Sequence, residues 1–222
     1  MGQLRILLSL LFAALGVAAC TNDRNGPRSS TLPNFHVVPP DGNAVEVCHA
    51  YTCQMKSTFY FHPKDIAEIA ALMKKSKRAD TPFEERRAIA YAIGLIETKV
   101  GAKLGINDRA GMEFGGSGNL TQEDSVDEAT NTTSFLLVPQ AHGLIKYHIV
   151  GTPFSKEALI WATLHGDPVK YWPHWTAVIQ EKASGQKYAV DSWSGPQGEN
   201  PAVVKVEDWY IKDINNLPKA TY

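Results

Sequence analysis

Two residues in the C-terminal third of the chain have the types and the setting of a general base and the group that orients it. They are His174 in WPHWTAVIQ and Asp191 in YAVDSW, both set among aromatic side chains. Imidazole titrates nearest neutrality, and a carboxylate bonded to one ring nitrogen decides which nitrogen is left to accept a proton. The stretch from Trp172 to Trp193 reads as a β-hairpin, with His174, Thr176 and Val178 on one face and Trp175, Ala177 and Ile179 on the other. A two-residue turn at Ser184 and Gly185 would set Asp191 opposite Val178, on the face of His174 but about 13 Å along the strand. A wider loop from Gln180 to Gly185 would set Asp191 directly opposite His174, at a Cβ separation of about 5 Å. A His–Asp pair therefore requires a wider or bulged turn. Taken singly, His174 also reads as an edge-strand histidine held by Trp172 and Trp175, and Asp191 as a strand-end cap.

A nucleophile is sought at a helix start, where unpaired N–H groups and the dipole favour a thiolate or an oxyanion. The segment TQEDSVDEATNTTSFLLV, Thr121 to Val138, begins polar and turns apolar, so a helix starts near Asp124 or Ser125. Ser125 is the candidate nucleophile, and Gln122 is a candidate donor to an oxyanion. Ser125 with Glu128, and Thr121 with Asp124, also have capping-box spacing, a purely structural use of the same residues. Asn131, Thr132 and Thr133 read as packing or back-bonding residues. His142 and His148 read as surface histidines of a loop and a strand, and His165 is the weakest catalytic candidate.

The elements that would position these groups are legible from caps and periodicity. A short strand fits Ser57 to Phe61. A first helix begins at Pro63, with Ile66, Ile69, Ala70 and Met73 inward and Lys74, Lys75, Lys77 and Arg78 as a solvated basic end. A second has Thr81 as cap, Pro82 at its first position, Glu84 completing a capping box and Gly101 as its end. Its inward stripe is Ile89, Ile93, Ile96 and Val100, and Glu85, Arg86 and Arg87 belong to the opposite face. Gly115, Gly116 and Gly118 form a loop without a phosphate-binding pattern. Gly143 stops the third helix, Leu144 to Val150 reads as a strand, and 151–171 as a long connection in which Ile160 and Trp161 could pack. Ala202 to Val206 and Glu207 to Ile211 read as a last strand and a short helix, with Trp209 covering the core. The pattern predicts an α+β fold with helices packed on an antiparallel sheet.

At 222 residues, 44% hydrophobic and a formal charge of −1, the chain fits one sizeable core and carries no excess charge for a nucleic acid. Arg5, the apolar run Ile6 to Val17 and the small residues before Cys20 have the order of an export signal, and the run is too short to span a bilayer. Val17, Ala18, Ala19 and Cys20 resemble the lipobox of bacterial lipoprotein precursors, which implies removal of residues 1–19 and lipidation at Cys20. An ordinary secretory signal with a nearby cysteine is the other reading. Residues 20–46, rich in Pro, Gly, Ser and Asn, would be a tether, and 47–222 the domain. Export leaves Cys48 and Cys53 as a candidate disulfide. His49 and His62 lie near them, but the spacing matches no zinc pattern, so no metal is expected.

DSVDEATNTTSFL, WPHWTAVI and YAVDSW together resemble a group of bacterial transglutaminase-like cysteine proteinases, within the papain-like superfamily, over roughly residues 46–210. In that group a cysteine stands where this chain has Ser125, and His174 and Asp191 match the other two triad positions in the same order. The resemblance implies a papain-like core with the nucleophile helix packed on the sheet and the hairpin at its centre. It also implies acyl hydrolysis or transfer at amides or esters, with no cofactor and a peptide or protein substrate or partner; the lipobox resemblance would place that partner in the bacterial cell envelope, on the periplasmic side at the outer membrane, with the chain held to the membrane through Cys20. The serine leaves open a silenced binding or scaffolding domain, a working serine variant, and a Cys-to-Ser change masking an active form.

Overall fold

The computed structural model describes residues 40, 42–108, 118–156 and 174–211. Cys20, Gly115, Gly116, Ile160, Trp161, His165 and Trp172 lie outside the described residues. The fold is α+β, as the sequence predicts. Ala44–His49 (β1) and Met55–Tyr60 (β2) form an antiparallel ribbon. β1 thus begins inside the stretch read as tether, because Val45 and Val47 have a core to enter. The turn between the strands holds Ala50, Tyr51, Thr52 and Cys53 in succession at positive φ, a conformation that favours glycine, and a Cys48–Cys53 disulfide closes it.

Helix α1, Pro63–Ser76, and helix α2, Pro82–Leu104, pack together. Thr81 caps α2 by accepting from the Glu84 N–H, but the Glu84 carboxylate turns to the Arg78 N–H and to Arg87 instead of completing a box. The expected end at Gly101 is wrong by one turn. α2 runs on to Gly105, whose φ of 75° makes it the cap, whereas Gly101 is a close-approach glycine with a Cβ position 2.9 Å from the Ile106 carbonyl oxygen. Glu85 also departs from expectation, being fully buried. Its carboxylate accepts from the N–H groups of Lys146, Tyr147 and His148 and meets the His148 ring at 2.9 Å, so His148 is a buried anchor and not a surface residue. Those bonds to the charged form hold Glu85 below the usual carboxylate range against the opposing effect of burial.

Helix α3, Ser125–Ala141, ends at the His142–Gly143 turn. The expected strand over 144–150 is shorter: β3 is His148–Val150 and β4 is Phe154–Lys156, and both pair antiparallel with the same edge of β5, His174–Glu181. Three residues separate β3 from β4 where β5 advances by two, so this edge is bulged. β6, Lys187–Asp191, and β7, Ala202–Lys205, complete the sheet order β3-β5-β6-β7, which puts the expected hairpin at its centre. Helix α4, Val206–Ile211, follows. Among the described residues no helix is long and apolar enough to cross a membrane.

Alternation splits the hairpin between two cores. Ala177, Ile179, Tyr188 and Val190 join the main core with Ile89, Ile93 and Ile96 of α2 and Phe135 and Leu136 of α3. Ala189 joins Trp193, Ala202, Val204 and Trp209 in a smaller core on the other face.

Candidate functional site

The hairpin turn matches neither register considered from the sequence. Ala177 pairs with Val190 and Gln180 with Lys187, the Glu181 N–H bonds the Gln186 carbonyl, and a four-residue loop, Lys182 to Gly185, closes the strands. Carried one step further, that register sets Asp191 opposite Thr176, two residues along β5 from His174 and on the same face. A diagonal neighbour on the same face is within reach of an imidazole. His174 Nε2 and Asp191 Oδ1 are 3.2 Å apart, and both side chains are buried.

The pair sits in an aromatic housing. The His174 ring makes edge contacts with Trp193 at 4.7 Å and Trp209 at 5.1 Å between centroids. Asp191 Oδ2, the oxygen not used by the histidine, accepts the Trp209 indole N–H at 2.6 Å. Lys156 on β4 is the cross-strand partner of His174, and its ammonium lies 4.5 Å from the centre of the Trp209 ring. From the sequence alone Trp209 reads only as core cover. No sequence signal could connect it to Asp191, because α4 reaches the hairpin only through the fold. With Nε2–H directed to Asp191, Nδ1 is the basic nitrogen of the ring, and among the described residues it has no hydrogen-bond partner.

At the start of α3 the cap is Asp124, one residue before the expected Ser125. The Asp124 carboxylate accepts from the N–H groups of Val126 and Asp127, each at 3.0 Å, and the Asp127 carboxylate returns the bond to the Asp124 N–H at 3.2 Å. Both expected boxes, Ser125 with Glu128 and Thr121 with Asp124, are corrected by this geometry. One oxygen of the Asp124 carboxylate takes both helix N–H groups, its other oxygen accepts from the Thr52 N–H, and Glu128 is engaged by Ser192. Ser125 is thereby the first residue of the helix, buried, with a hydroxyl that has no hydrogen-bond partner among the described residues.

The β1–β2 turn clasps this helix start. The Thr52 N–H bonds Asp124 at 3.0 Å, the Cys53 N–H bonds Asp127 at 2.6 Å, and the Ala50 N–H bonds the Gln122 carbonyl at 2.8 Å. Asn131 bonds the backbone of Cys48 in both directions and donates to Glu123, which accounts for it as a packing residue. Thr133 bonds back to the Ala129 carbonyl. The Gln122 side-chain nitrogen donates to the Asn107 carbonyl, so one of its N–H groups is committed to the loop before the site.

Ser125, Glu128 and Thr132 share one face of α3 by helical spacing. That face meets the residue after Asp191: Ser192 Oγ donates to Glu128 at 2.6 Å and lies 2.8 Å from Thr132 Oγ1. Consecutive strand residues point to opposite faces, so Ser192 addresses α3 while Asp191 addresses α4. The structure thus brings the start of α3 and the end of β6 together, and it joins His174 to Asp191. No hydrogen bond joins Ser125 to His174.

Behind this junction lie several buried carboxyl groups. Burial, reinforced by the charges of Asp108, Asp127 and Asp191 and offset in part by the Ser192 bond, pushes Glu128 up to about 8. Burial and the charge of Asp124 push Asp127 up to about 7, and burial raises Glu97 and Glu123 well above the usual range. Among the described residues the one set of three metal-type ligands within reach of one ion is Cys48, Cys53 and Asp127, and the disulfide withdraws both sulfurs. No family model, curated protein or solved structure matches this chain.

Proposed function

We propose that this chain is a lipid-anchored cell-envelope protein whose domain is a papain-like, transglutaminase-type acyl-transfer fold, with the base half of its triad intact and its chemistry silenced at Ser125. The observation that carries the proposal is the buried His174–Asp191 pair, in which Nδ1 of the imidazole has no hydrogen-bond partner among the described residues. In a cysteine form the thiol proton would pass to Nδ1 as sulfur attacks an amide or ester carbonyl. The imidazolium, steadied by Asp191, would return that proton to the leaving group, and water or an amine would then take the acyl group from sulfur. The backbone N–H of position 125 itself, which the Asp124 cap does not take, would steady the oxyanion. Serine at this position begins from a far less acidic group, and Ser125 makes no hydrogen bond to His174 through which to lose its proton. That contact's absence favours a second reading, a binding or scaffolding lipoprotein that retains the cleft without turnover.

The test uses the full chain with Ser125→Cys, a thiol-directed activity probe and a panel of peptide amides. We expect labelling at position 125, located by mass spectrometry, and its loss when His174→Ala is added. Equal labelling with and without His174 would overturn the triad assignment, and no labelling in either form would leave the binding module.

A further inference from the structure

Asp191 is deeply buried, and a carboxylate in that position needs donors for both oxygens. His174 supplies one and the Trp209 indole the other. The Trp209 ring in turn lies against the Lys156 ammonium. A cation over the face of an indole draws on its π density and makes the edge N–H a stronger donor, and a bonded series polarises its members. The sheet sets two of these side chains side by side: Lys156 on β4 and His174 on β5 are cross-strand partners, and the Trp209 ring of α4 meets both.

We propose that Lys156 and Trp209 are positioning residues for the His174–Asp191 pair, acting as a relay from ammonium to indole to carboxylate to imidazole. The relay fixes the Asp191 rotamer, and through it the ring orientation and tautomer of His174. It deepens the assignment of His174 and Asp191 as the base half of the site. It also explains why a lysine is buried on β4 at the position across from the histidine. The ammonium supplies the positive charge that a buried Asp191 lacks when His174 is neutral, without touching the imidazole nitrogen that must stay free.

The readout is the His174 ring N–H, followed by proton NMR in the full chain with its native Ser125 and assigned by its disappearance in His174→Gln. A ring N–H held on a carboxylate exchanges slowly with solvent. Trp209→Phe keeps the aromatic wall and removes the donor, and exchange should accelerate about tenfold, the scale of one hydrogen bond to a charged group. Lys156→Met keeps the stem and removes the charge, and exchange should accelerate about threefold. Lys156→Arg restores a cation and should return the parent rate. If Trp209→Phe does not fold, the two Lys156 variants carry the test, since both keep the indole. Exchange equal to the parent in Lys156→Met, or in a folded Trp209→Phe, overturns the relay. Failure of thiol labelling in Ser125→Cys with the His174 signal responding as expected would instead overturn the nucleophile and leave the relay standing.

Discussion

Replacing Glu128 by glutamine tests how the protein tolerates a carboxyl group between α3 and the end of β6. In the unfolded chain this group titrates near its ordinary 4.5, whereas burial and the neighbouring carboxylates push it up to about 8 in the fold. Between those values the folded state keeps a proton that the unfolded state has released. The unfolded state then binds fewer protons, so stability falls as pH rises through this window and is fully present only below the unfolded value. From pH 5 to pH 8 one such group removes roughly 3 kcal/mol, which for a chain of this size lowers Tm by about 6–12 °C. Asp127, pushed up to about 7, acts in the same direction, and because it interacts with Glu128 the two losses do not add. The groups held low act elsewhere: Asp65 and Glu85 contribute stability that is lost as pH falls below their ordinary values.

Glutamine is neutral at every pH and can still accept the Ser192 hydroxyl. Glu128→Gln should therefore make the decline between pH 5 and pH 8 measurably shallower, read as Tm or as the urea midpoint, with the remainder carried by Asp127, Glu97 and Glu123. At pH 8 the variant should be at least as stable as the parent. A parent whose stability is level or rising over this interval would refute the reasoning. So would a Glu128→Gln variant with the parent's slope, because the buried proton would then lie on another group.

Two further outcomes concern the helix start. The Cys48–Cys53 bridge closes a loop with a sequence separation of 5, so the double change Cys48→Ser, Cys53→Ser should cost about 2 kcal/mol by chain entropy, read from urea unfolding under non-reducing conditions. The four left-handed residues add a local signature: the amides of Thr52 and Cys53, which bond Asp124 and Asp127, should lose exchange protection before the helix does. Asp124→Ala removes a cap that accepts two N–H bonds and should cost about 1–2 kcal/mol, with faster exchange at Val126 and Asp127. If Ser125 were the working cap, Asp124→Ala would be nearly neutral and Ser125→Ala would carry the loss.

What the sequence conveyed and what it hid divide along a physical line. Local signals survived: Pro63 and Pro82 open their helices, and the polar-to-apolar change after Thr121 locates α3, because caps and periodicity act within a few residues. The hairpin face shared by His174 and Asp191 was also legible, since alternation is indifferent to register in steps of two. The register was not, because a four-residue loop looks like a two-residue turn with polar flanks. In DSVDE two pairs share the capping-box spacing, Asp124 with Asp127 and Ser125 with Glu128, and local rules cannot rank them. The choice is made from outside the helix: Ser192 engages Glu128, and the disulfide turn sets its N–H groups on Asp124 and Asp127. The same holds for Glu85, which helical periodicity puts outward until the 146–148 backbone arrives to cover it, and for Trp209, which meets Asp191 only when α4 folds onto the sheet. Each missed residue is polar and satisfied across a long sequence separation, so its energy exists only in the assembled fold. The consequence for the site is specific. The tertiary contacts that relieve Ser125 of capping leave its hydroxyl with no hydrogen-bond partner among the described residues, so whether that position can do chemistry depends on β1, β2 and β6 as much as on the serine itself.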